Sequence, residues 1–124
     1  MKRILLASAC LLVAACGPEH VRDEVRQVEI GNTIISDGWT NIVYTSDADF
    51  QKLDQEYDPE LYVEVIDVET GTTFSVPLGY ECKQFPLPRG SRFLTRFDIT
   101  AYEDKPKEEY MSPYGEPVKS HLCS

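Results

Sequence analysis

The run Leu61-Tyr62-Val63-Glu64-Val65-Ile66-Asp67-Val68, then Glu69-Thr70-Gly71, then Thr72-Thr73-Phe74-Ser75-Val76, constrains the fold more than any other stretch. Apolar residues recur at nearly every second position on both sides of a short break, the period of strands with one buried face. Gly71 stands where a hairpin with a glycine bulge needs positive φ. The alternation slips between Val65 and Ile66, which predicts either a bulge or burial on both faces. A second long strand is predicted from Arg92 to Tyr102, with Phe93, Phe97 and Ile99 on one side and Arg96, Asp98 and Thr100 on the other.

Shorter β-branched runs complete the pattern: Val28 and Ile30 around Glu29, Thr33-Ile34-Ile35 after Gly31-Asn32, and Thr40-Asn41-Ile42-Val43-Tyr44-Thr45 after Asp37-Gly38. Residues 47–60 are an acidic interruption. Phe50 and Leu53 stand there at helical spacing, enough for a single turn that Pro59 would end. Residues 77–88 read as irregular and residues 105–117 as a loop rich in proline and tyrosine. Residues 118–122 are expected to form a last edge strand. There is no internal repeat and no long amphipathic helix. The expected fold is all-β, a small β-sandwich or barrel of about six to eight mostly antiparallel strands, forming one domain over residues 27–124.

The N-terminus sets a different constraint. Lys2 and Arg3 precede the apolar run Ile4-Leu5-Leu6-Ala7-Ser8-Ala9-Cys10-Leu11-Leu12-Val13-Ala14-Ala15. This is the layout of a secretory signal peptide, and it falls short of the roughly 20 apolar residues that span a bilayer. Val13-Ala14-Ala15-Cys16 resembles the lipobox of bacterial lipoproteins. The resemblance implies removal of residues 1–15, a diacylglyceryl group on the Cys16 sulfur and a further acyl chain, such as palmitate, on its new amino group. Three chains, each methylene contributing about 0.8 kcal/mol, would hold the protein durably on a membrane. In enterobacterial members an Asp after the cysteine retains the protein at the inner membrane. Gly17 therefore implies the outer membrane, on its periplasmic face. Residues 16–26 are expected to be a lipidated tether reaching about 30 Å.

The leader carries away Lys2 and Arg3, so 10 basic residues would face 21 acidic ones in the mature chain. Such a balance repels phosphate backbones, which disfavours nucleic acid as a partner, and it steers cationic partners inward. With Cys10 lost and Cys16 lipidated, Cys82 and Cys123 are left as one pair in an oxidising compartment, and a disulfide between them is expected. It would close about 42 residues, worth roughly 4 kcal/mol if unstrained, and would hold the C-terminus down.

Catalytic chemistry has little to work with. His121 could approach Cys82 only with the thiol already oxidised, His20 lies in the expected tether, and no Gly-x-Ser-x-Gly element exists. No enzyme activity, catalytic residue or cofactor is expected. Asp47, Asp49, Gln51 and Asp58 fall at the first, third, fifth and twelfth places of a calcium loop. Lys52 stands where the loop's glycine belongs, so a solvated acidic loop is expected and no metal site. Tyr110, Met111, Pro113 and Tyr114 form the candidate contact loop, because tyrosine offers area at low entropy cost and proline stiffens the segment. Trp39 is expected in the core.

The expected function is a lipid-anchored binding module docking to another envelope or extracellular component. Alternatives are an exclusion lipoprotein of phage or plasmid type that blocks a receptor, and a structural accessory subunit of an envelope complex. Arg89-Gly90-Ser91-Arg92-Phe93 also resembles a motif of small anchored lysozyme inhibitors, departing from it at several positions. That version is weaker, since arginine suits a basic enzyme poorly.

Overall fold

The computed structural model describes residues 17–53, 58–79 and 87–123. The described elements are β1 (Glu19–Ser36), β2 (Asn41–Val43), a 3-10 turn (Asp47–Lys52), β3 (Glu60–Asp67), β4 (Thr73–Pro77), β5 (Arg92–Tyr102), β6 (Lys105–Pro113) and one helix, α1 (Gly115–Cys123). The strands pair antiparallel in the order β4-β3-β1-β5-β6, with β2 added at the far end of β1. The sheet curls until its edge strands β4 and β6 approach, and α1 packs against β4 and β5. The expected all-β class holds in its barrel form, as one nearly closed sheet.

β1 explains the curl. Its first half pairs with β5, from Glu19 opposite Ala101 to Glu29 opposite Arg92. Its second half pairs with β3, from Val28 opposite Asp67 to Ser36 opposite Glu60, with a bulge between Ile30 and Thr33. Bulges bend a strand and increase its twist. Gly31 sits in this bulge, where any side chain would press on its neighbours. A Cβ there would lie 3.1 Å from the Glu64 Cβ and 3.3 Å from the Ile66 Cδ1. Gly31→Ala should therefore lose about 1–2 kcal/mol in urea unfolding, as overpacked sites do; an unchanged midpoint would mean that the bulge yields freely.

The core lies on the inner face of the sheet, where Val28, Ile30, Val63, Val65, Leu78, Phe97 and Val118 are almost wholly buried. Phe74 meets Phe97 edge-on at 5.6 Å. A smaller cluster of Ile35, Tyr44 and Leu53, with Ile42 and Phe50 against it, fills the end near β2.

Four sequence expectations change. Residues 118–122 are helix, not edge strand. Gly115-Glu116-Pro117 opens α1, where a proline costs no hydrogen bond, and Val118 and Leu122 share one face at i, i+4. Much of the expected loop over residues 105–117 is strand β6. It tolerates its prolines because it pairs on one side only, with β5. The expected tether over residues 16–26 is largely taken into β1, leaving Gly17 and Pro18 before the strand. The hairpin between β3 and β4 forms as expected, with Gly71 at φ 76°, but β3 carries no bulge. Its alternation continues unbroken, so that Ile66 faces outward and Asp67 inward.

Asp67 is 0% exposed, and Arg26 is why it can be charged there. The Arg26 guanidinium donates from Nε and Nη2 to the two Asp67 oxygens, each at 2.9 Å, and also reaches Glu24 at 2.6 Å and Glu69 at 3.0 Å. Glu24 contacts Arg22 at 3.3 Å, and Arg22 grips Glu109 on β6 at 2.7 and 2.9 Å. One chain of ion pairs thus crosses the inner face from β6 to the turn after β3. The Arg26 hydrogen bonds, helped by Thr70, hold the Asp67 carboxyl down at about 2.

Cys123 ends α1 half-buried against the core, and among the described residues no cysteine is free. Cys16 and Cys82 lie outside the described residues, and with them the expected lipid on Cys16 and the expected bridge from Cys82 to Cys123.

Candidate functional site

Trp39 stands at the tip of the hairpin joining β1 to β2. The turn is built by Asp37, whose Oδ1 accepts from the backbone N–H groups of Trp39 (2.8 Å) and Thr40 (2.7 Å). The Ser36 hydroxyl accepts from the Gly38 N–H, and Gly38 adopts φ 94°, a conformation that other residues rarely take. The turn is closed by its backbone, the Asp37 carboxylate and the Ser36 hydroxyl, and none of these gives its outermost side chain a surface to pack on. Trp39 is 80% exposed. The expectation of a core indole is corrected accordingly.

Beside this turn are two recesses. One of 370 Å³ has an apolar wall of Phe50, Pro59, Leu61 and Pro77, with Asp58 and Glu60 supplying carboxylates. The other, of 170 Å³, is lined by Ser36, Asp37, Gly38 and Tyr62 and shares Asp58 and Glu60 with the first. The two acids thus lie between the apolar wall and the turn that carries Trp39. Tyr62 donates to Glu60 at 2.6 Å, and that bond raises its own hydroxyl pKa. Among the described lining residues none is basic. The end of the barrel therefore offers an aromatic plane, apolar wall and negative charge together, a combination suited to cationic groups on apolar stems.

The neighbouring 3-10 turn keeps its acids for itself. The Asp49 carboxylate accepts from the Thr45 N–H, the Ser46 N–H and Lys52, which holds its pKa well below the usual range. Asp47 accepts from the Tyr44 hydroxyl, pushing that phenol up to about 12. Of the residues that match calcium-loop places, Asp49 thus caps the turn and Asp47 holds Tyr44, while Asp58 lines the recesses. Among the described residues, only His20, Asp23 and Asp98 bring three ligand atoms within 4.8 Å of one another, as a metal would require. They already serve one another and Tyr114: His20 Nδ1 and Asp98 share a hydrogen bond of 2.5 Å, and Asp23 accepts from Tyr114 at 2.6 Å. His121 is stacked on Phe93, centroids 3.9 Å apart.

The four residues of the expected contact loop separate. Tyr114 lies under the Arg96 guanidinium and is tied to Asp23, which raises its hydroxyl to about 12. Met111 packs on the core and Pro113 pairs with Phe97. Tyr110 alone is well exposed, edge-on to Tyr102 at 6.0 Å. In Arg89-Gly90-Ser91-Arg92-Phe93, Gly90 and Ser91 bond to the backbone of Ile30, and Arg92 pairs with Glu29. That motif starts β5.

No family model, no curated protein and no solved structure matches this chain. Among the described residues no helix is long and apolar enough to cross a membrane.

Proposed function

We propose that this chain is a lipid-anchored envelope protein whose barrel carries a docking tip, Trp39, to a cationic protein surface. The observation that carries the reading is the indole, 80% exposed on a turn whose backbone is fixed by Asp37. Exposed tryptophans on rigid supports are the residue type most often found at the energetic centre of interfaces, since little entropy is lost on contact. Asp58 and Glu60 beside it, and the 21 acidic residues overall, favour a basic partner. Cys16 would supply the anchor. β1 runs from three residues past Cys16 to the turn that holds Trp39, a path on the order of 55 Å along the strand. A receptor-blocking exclusion lipoprotein and an accessory subunit of an envelope complex are versions of the same reading that differ in the partner met.

The test is a pull-down from envelope extract on immobilised residues 17–124 across a salt series. One stoichiometric partner, retained at low salt and released at high salt, should bind Trp39→Ala at least about tenfold more weakly. Equal retention by Trp39→Ala would remove the tip from the account.

A further inference from the structure

The opposite end of β1 has its own character. Only Gly17 and Pro18 separate Cys16 from the first strand residue, so chain length alone keeps its Cα within about 11 Å of that of Glu19. Glu19 pairs with Ala101, and His20 with Thr100. The turn between β5 and β6 therefore stands level with the anchor. At that end Tyr102 and Tyr110 are exposed and form their edge-on pair, and Lys105 and Lys107 are exposed beside them. Both tyrosines belong to one face of the sheet, since Tyr110 is opposite Thr100 and Tyr102 lies two residues further along β5.

We infer that this end is a membrane foot: Tyr102 and Tyr110 seat in the headgroup layer of a zwitterionic phospholipid surface and hold the barrel upright. The inference rests on the lipid-anchor reading of Cys16. Tyrosine places an apolar ring and a polar tip across such a layer, and lysine stems bridge to it. Glu19, Glu103, Asp104 and Glu108 outnumber the two lysines, so the contact is aromatic and an anionic surface repels it. A chain held this close to its lipid cannot move the pair far from the headgroups. The tyrosine contact then restrains tilt about the short link at Gly17 and Pro18.

The experiment uses the full lipid-processed protein, labelled with 3-fluorotyrosine and reconstituted into phosphatidylcholine vesicles bearing a headgroup spin label. Of the seven tyrosine signals, the two that vanish in Tyr102→Phe and Tyr110→Phe should broaden at least threefold more than the rest. Emission of the sole tryptophan, Trp39, should be the same with and without the spin label. Adding anionic phosphatidylglycerol should reduce the broadening. A vesicle-bound protein with all seven lines equally sharp would overturn the foot and leave the anchor standing. Broadening that grows with anionic lipid would overturn the aromatic contact in favour of a charged one. A processed chain carrying no lipid on Cys16 would overturn the anchor and the foot together.

Discussion

Arg26→Ala should destabilise the domain by about 3–5 kcal/mol, the cost of leaving a buried carboxylate without its partner. For a domain of this size that lowers the melting temperature by well over 10 °C, about 4 °C or more for each kcal/mol. The reason is geometric. Asp67 is wholly buried and receives both forks of the Arg26 guanidinium, and among the described residues no other cation is bonded to it. Thr70 donates to the same carboxylate from its N–H and hydroxyl but brings no charge. Replacing the pair together, as Arg26→Met with Asp67→Leu, should recover most of the loss, because similar apolar volume then fills the site. A double variant as unstable as Arg26→Ala would show that the cost lies in the wider chain of ion pairs through Glu24 and Arg22. The same pair sets an acid limb. The carboxyl of Asp67 is lowered to about 2 from 3.8, so the folded state binds its proton later than the unfolded chain does. Its stabilisation is complete above about pH 5 and is lost as pH falls through 4 toward 2. In Asp67→Asn that part of the acid limb should flatten.

Cys16→Ser should move the protein from the membrane fraction to the soluble periplasm, with membrane-bound protein falling about tenfold or more. Among the described residues nothing else is suited to replace the lipid. Among the described residues no helix can span a bilayer, and the acidic surface repels anionic lipid. The tyrosine pair buries too little area to hold the domain alone. Membrane fractionation of a cell expressing both forms measures the effect directly. A Cys16→Ser protein that stays with the membrane would mean attachment through a partner, and the anchor reading would be abandoned.

The strands that could be read from the sequence are those whose alternation is apolar against polar. β3, β4 and β5 fall into this class, as does the second half of β1. In the first half of β1 the inward positions are Arg22, Glu24 and Arg26, so an inside-facing pattern exists but is written in charges that satisfy one another. By composition that stretch looked like a solvated tether. β6 failed for a related reason, because residues 105–110 are exposed on both faces and present no buried period. α1 spans nine residues with Val118 and Leu122 as its only aliphatic pair, too little for a helical period to stand out. Asp67 was hidden by the rule that charges face water, which Arg26 overrides from a strand far away in sequence. Trp39 was hidden by the opposite rule: the size of an indole argues for burial, while a turn closed by Asp37 leaves no wall to bury it against. Among the expected contact residues, composition alone could not separate Tyr110, which is open, from Tyr114, whose hydroxyl is bonded to Asp23.

The division of β1 between two partners has a consequence for how the protein is made. Its second half can pair with β3 soon after that strand has emerged, whereas residues 19–27 have β5 as their strand partner. Closing that ladder needs most of the chain, and pairings distant in sequence form late. A nascent chain crossing a membrane would therefore keep the stretch next to Cys16 unfolded and accessible until β5 arrives. Were Cys16 cut and acylated as proposed, this order of assembly would leave its flank extended for that processing until β5 is made.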